Sequence, residues 1–113
     1  MPLATGFAGL TALLTHFQEH GAAVNATDAQ DYQNKAIIFL QTPLTTPPIL
    51  ECVRSNGDTV RFNQLTSEFA VVRSTGVIKT YYKPLPVRIA PLGTPLRRTH
   101  PYATNLDYFY GSC

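Results

Sequence analysis

Tryptophan is absent, methionine occurs once and cysteine twice in this chain of 113 residues. Cys52 and Cys113 stand far apart and match no metal-ligand spacing, so a cysteine-built zinc site is excluded. Two free thiols are expected, Cys52 buried in an apolar run and Cys113 frayed at the terminus; a pairing between them is possible but not favoured. No apolar run approaches the roughly 18 residues of a membrane helix, which excludes a transmembrane span. Neither Cys-x-x-Cys nor His-Glu-x-x-His occurs, so zinc deaminases and zinc metalloproteases lack their ligands here. Met1–Gly6 shows no basic segment and no long apolar segment, so no secretory signal is expected.

Acid is scarce in the second half. After Glu51 only Asp58, Glu68 and Asp107 oppose Arg54, Arg61, Arg73, Lys79, Lys83, Arg88, Arg97 and Arg98. The net charge of +2 is mild, but its distribution makes that half basic, as a phosphate-binding surface would be. An apolar share of 44% is enough for a real core and excludes disorder by composition.

Periodicity divides the chain in two. Phe7, Leu10, Leu13, Leu14 and Phe17 recur at helical spacing, and Gly21 is placed to end that helix. Thr27-Asp28 offers an N-cap to a second helix reaching about Gln41, with Tyr32, Ala36, Phe39 and Leu40 on one face. The prolines of Thr42–Pro48 make a linker. The period then becomes two, and hairpins are expected around Asn56-Gly57 and around Thr75-Gly76. Pro84–Pro101 reads as a long loop, and the aromatic segment Asn105–Tyr110 is expected to close the sheet. The expectation is one α+β domain spanning 1–113, helical over about 5–41 and sheet-forming over about 49–113. In it, two N-terminal helices pack on a twisted antiparallel sheet of about four to five strands.

His16 and His20 are one helical turn apart at the border of the apolar stripe. Three readings stand for the pair: ordinary boundary histidines, a general acid or base, or a zinc pair. Lys79, Thr80, Tyr82 and Lys83 alternate along one strand, and Arg54 lies beside the Asn-Gly turn. A sheet bearing Arg, Lys, Thr and Tyr near a histidine has the parts for RNA cleavage without a metal. It equally has the parts of a solvent-facing sheet or of a non-catalytic RNA- or protein-binding module. Tyr81, Tyr82, Tyr102, Tyr108 and Tyr110 offer rings on which bases can stack.

Leu14-Thr15-His16-Phe17-Gln18-Glu19-His20-Gly21 resembles the opening motif of toxin domains at the C-termini of bacterial polymorphic effectors, of the contact-dependent inhibition and Rhs types. Arg54–Val60, Ser67–Val72, Gly76–Pro84 and Thr104–Phe109 follow in the order such domains show. The resemblance implies a ribonuclease toxin of the barnase, EndoU, colicin and RelE-like fold that cuts RNA, often tRNA, without metal or cofactor. It implies export within a larger effector, delivery to a target-cell cytoplasm, and a cognate immunity protein, often acidic. The chain would then be a monomer or one half of a toxin–immunity heterodimer. The matching positions are His16 and His20 as acid or base, Arg54 and Lys83 on phosphate, and Thr80 and Tyr108 as positioning hydroxyls. Two departures stand out: Glu19 occupies a position usually held by Lys, and Thr99-His100-Pro101-Tyr102 replaces the usual His-Gly-Tyr-Pro, which makes His100 a further candidate.

Overall fold

The computed structural model describes residues 4–44 and 49–113. The expected absence of a secretory signal and the centre of the proline linker fall on residues outside that range. The chain opens with a short strand β1 (Gly6–Phe7) and two helices, α1 (Leu10–His20) and α2 (Ala29–Gln41). Four strands follow: β2 (Ile49–Val53), β3 (Thr59–Asn63), β4 (Phe69–Val72) and β5 (Val77–Tyr82). The two-residue strands β6 (Leu85–Pro86) and β7 (Thr99–His100) lead to a last helix, α3 (Asn105–Ser112). The fold is α+β, as expected.

The main sheet runs β1-β5-β4-β3-β2. It is mixed rather than purely antiparallel, because β1 pairs in parallel with β5 through Gly6↔Val77 and Phe7↔Ile78. Phe7 therefore leaves the expected first helix for the sheet edge. That helix also turns a different face inward. Leu13 and His20 are buried, whereas Leu10 is 70% exposed. The buried stripe is Leu13–Phe17–His20 rather than the leucine stripe, which draws the histidines toward the core. Gly21 does not take a left-handed cap conformation; its φ is −59°, and Asn25, at φ 59°, makes the left-handed turn instead. A side chain at Gly21 would meet the Phe17 ring within 2.7 Å, so the close approach is what requires glycine.

α2 is capped as expected. The Asp28 carboxylate accepts from the Asp31 N–H at 2.8 Å, and Asp31 reaches back to the Thr27 N–H at 3.0 Å. Its apolar face packs Tyr32, Ala36, Phe39 and Leu40 against Ala70, Val72, Ile78 and Tyr81 of the sheet. The opposite sheet face carries Val60, Phe62, Phe69, Val71 and Tyr82, covered by Phe109 of α3. Helices thus lie on both faces. An irregularity at Val71/Val72 leaves Lys79 unpaired, which moves Thr80 and Tyr82 onto the α3 face and Ile78 and Tyr81 onto the α2 face.

Asn105–Ser112 is a helix where a closing strand is expected. The signal for it is in the chain: Thr104-x-x-Asp107 is an N-terminal cap, and the Thr104 hydroxyl accepts from the Asp107 N–H at 3.1 Å. This helix carries Cys113 back to β2, where it forms a disulfide with Cys52, the Cα atoms 5.9 Å apart. The expectation of two free thiols is corrected on that point, because α3 packs Phe109 against the β2–β3 side of the sheet and so brings the terminus to Cys52. The bridge closes a loop with a sequence separation of 61 residues. Reducing it, or the paired change Cys52→Ser with Cys113→Ser, is expected to cost about 4 kcal/mol through the entropy of the unfolded chain. Urea unfolding with and without a dithiol reductant measures this, with coincident curves as the contrary outcome.

Candidate active site at the open edge of the sheet

Because β1 pairs β5 only as far as Ile78, the edge of β5 beyond that residue carries no strand partner from β1. The C-terminal turn of α1 comes to this edge. The His20 ring stacks on Tyr82 with centroids 4.9 Å apart. The hydroxyls of Tyr82 and Tyr108 are hydrogen-bonded to each other. The Tyr108 ring in turn lies flat on His100, at 4.4 Å and 10°. On the other side of His20 stands His16, ring centroids 5.9 Å apart, with Phe7 beyond it at 5.0 Å. One run of rings therefore connects α1, β5, α3 and the segment before α3.

Cations and one carboxylate surround this run. Glu19 faces His20 Nε2 at 3.5 Å and Arg97 at 3.8 Å. Arg98 donates from Nε to the Lys83 carbonyl at 2.6 Å, and burial lowers its pKa from the usual range. Burial also pushes His20 down to about 4, helped by the charges of His16, Arg98 and Arg97. The ring is therefore uncharged at neutral pH, and its contact with Glu19 is not an ion pair there. His16 is lowered too, by burial first and against the pull of Glu19. The Nδ1 atoms of both histidines are buried with no hydrogen-bond partner among the described residues. An unpartnered buried nitrogen costs roughly 1–3 kcal/mol, a cost that points to a ligand or a catalytic role. Tyr82 is raised, chiefly by burial and then by its bond to Tyr108, with Arg54 pulling the other way.

Arg54 closes the far side. Its Nε donates to the Ser112 carbonyl at 2.6 Å and one Nη stands 3.7 Å from Asp58. Asp58 also takes Lys79 at 2.9 Å, and that hydrogen bond leads the causes holding its carboxyl below the usual range. The remaining guanidinium N–H groups are those left for a phosphate. Thr80 lies two residues before Tyr82 on the same face.

The structure thus brings His16, His20, Thr80, Tyr108 and Arg54 to the two sides of Tyr82. Lys83 goes elsewhere: its side chain lines a separate cavity of about 400 Å³ with Lys35, Glu68 and Tyr81, behind the sheet. Alternation explains this, since Lys83, one residue past the end of β5, falls on the side of Tyr81 and opposite Tyr82. Reading the sequence for site residues takes Tyr82 only as a strand residue and a stacking ring, and undervalues Arg97 and Arg98. The pair Arg97-Arg98, in a stretch free of acid from Phe69 to Leu106, was the available signal. Among the described residues, no three of His, Cys, Asp and Glu gather closely enough to hold a metal.

No protein-family model matches the chain. No curated protein matches it either. Among solved structures, a ribonuclease from Escherichia coli complexed with its inhibitor protein is similar at 18% identity, with a TM-score of 0.47, over 66% of this chain and 85% of that one. A superposition that loose, at that identity, carries no functional reading. No helix among the described residues is long and apolar enough to cross a membrane.

Proposed function

We propose that the chain is an endoribonuclease that cuts RNA with its own side chains, and that it acts as a toxin domain. One observation carries this reading: His20, neutral at physiological pH, stacks on Tyr82, whose hydroxyl meets that of Tyr108 between arginines on either side. Each role in 2′-hydroxyl attack finds a group there. His20 accepts the ribose 2′ proton, and His16 beside it shares that role. The 2′ oxygen attacks the adjacent phosphorus, and the guanidinium groups of Arg54, Arg97 and Arg98 hold the charge of the pentavalent phosphate. Tyr108, with Thr80 positioning the substrate, supplies a proton to the departing 5′ oxygen. The products are a 2′,3′-cyclic phosphate and a free 5′ hydroxyl. tRNA as substrate, export within a larger effector, action in a target-cell cytoplasm and neutralisation by an acidic immunity protein belong to the same proposal, and rest on the sequence resemblance.

The purified chain incubated with total tRNA in EDTA tests it. Cleaved ends bearing a cyclic phosphate are the expected result, and tRNA left intact overturns the reading. A second reading, a non-catalytic RNA-binding module, is favoured by the burial of His20, 3% exposed in the free protein. Retention of intact tRNA on the protein is the outcome it predicts.

A further inference from the structure

His100 has no part in the chemistry above, yet its ring is held on several sides. The residue is 4% exposed. The Tyr102 N–H donates to its Nδ1 at 3.2 Å, which leaves the ring proton on Nε2. That nitrogen lies 2.8 Å from Asn105 Oδ1, so one tautomer satisfies both contacts. The parallel pairing Pro86↔His100 anchors its backbone, and Asn105 is the first residue of α3. The face of the ring lies on Tyr108, and Tyr102 closes the edge of the pair at 5.8 and 5.9 Å.

We propose that His100 is a positioning residue for Tyr108. Locked in tautomer and plane, it backs the Tyr108 ring and so sets where that hydroxyl meets the hydroxyl of Tyr82. The proposal rests on the reading of Tyr108 as a working hydroxyl of the nuclease. A tyrosine hydroxyl sits at the end of a long lever. A small tilt of the ring therefore displaces it by a large part of an ångström, and misplacement of that order costs up to about a hundredfold in rate. His100→Phe preserves a flat ring against Tyr108 and removes both polar anchors. His100→Gln removes the ring.

The test compares the whole chain with His100→Phe, His100→Gln, Tyr108→Phe and the double change His100→Phe with Tyr108→Phe. Steady-state cleavage of tRNA and aromatic NMR spectra are the readouts. In His100→Phe, kcat is expected to fall roughly tenfold or more with KM held within about twofold. In the Tyr108→Phe background the same change should do nothing further, because the hydroxyl it serves is gone. Losses that multiply, or an unchanged kcat in His100→Phe, overturn the proposal. The spectra decide independently of activity. Shifts at Tyr82 and His20, which the chain of rings joins to His100 through Tyr108, are expected in both His100 variants, and their absence overturns the positioning role. If the unaltered chain leaves tRNA whole while those shifts occur, the nuclease reading fails and the mechanical link from His100 to Tyr82 stands.

Discussion

His20→Gln is expected to lower the rate of tRNA cleavage by roughly a hundredfold to ten-thousandfold, the range that removal of a general base costs. Glutamine keeps the size and much of the polarity of the side chain but cannot accept a proton at neutral pH. The loss should fall on kcat and not on KM, since the proposed mechanism gives the phosphate to Arg54, Arg97 and Arg98 and not to His20. A rate within threefold of the unaltered chain would place the base elsewhere, with His16 the neighbour to change next. The same substitution has a consequence for stability. The ordinary histidine value is 6.5 and the folded value about 4, so the unfolded chain binds more protons between these limits. Stability is unaffected by this ring above about pH 6.5, falls as the pH drops through that window, and levels off below about 4. The change amounts to roughly 3 kcal/mol, the fall from 6.5 to about 4 taken at about 1.4 kcal/mol per tenfold. His20→Gln should flatten that part of the curve, as urea midpoints measured from pH 7 to pH 4 would show. Parallel curves for the two proteins would contradict the neutral, buried assignment.

Arg61→Ala is expected to cost roughly 3–5 kcal/mol, the loss that follows when one partner of a buried ion pair is removed. Arg61 is 4% exposed. Its Nε donates to Glu51 at 2.9 Å, and its Nη1 donates to the carbonyls of Phe39, at 2.9 Å, and Thr42. The residue thereby ties the end of α2 to β3 and to the edge strand β2. Removing it strands a carboxylate and two carbonyls at the margin of the core. For a domain whose total stability is of order 5–15 kcal/mol, that is a large share. Replacing Arg61 and Glu51 together with Met and Leu should recover the part of the loss that comes from the unpaired carboxylate, but not the part from the carbonyls of Phe39 and Thr42, which stay without that donor. Urea unfolding reads both. A cost below about 1 kcal/mol for Arg61→Ala would mean that water, rather than protein, solvates this pair.

Legibility from sequence varied with how local the physics was. The second helix could be read almost to the residue, since Asp28 caps it and its apolar period is strict. The two hairpins could be read from Gly57 and Gly76, whose φ angles of 92° and 93° lie where only glycine is at ease. α3 was legible in its cap, but the aromatic run Tyr108-Phe109-Tyr110 favours strand, and that preference obscured it. The disulfide was not legible, because it follows from the direction in which α3 returns the chain. The motif places Lys83 on phosphate, whereas alternation past the end of β5 carries it behind the sheet with Tyr81.

By itself, the order of residues determined the fold class, the element types over most of the chain, the basic second half and the identity of the groups available for chemistry. All of these depend on contacts between near neighbours or on composition. Tertiary structure alone decided which face of the first helix turns inward, that Tyr82 stands between His20 and Tyr108, and that Cys52 meets Cys113. Those outcomes depend on how helices and strands pack across the sheet, and on a one-residue irregularity opposite Lys79 that changes which side chains share a face.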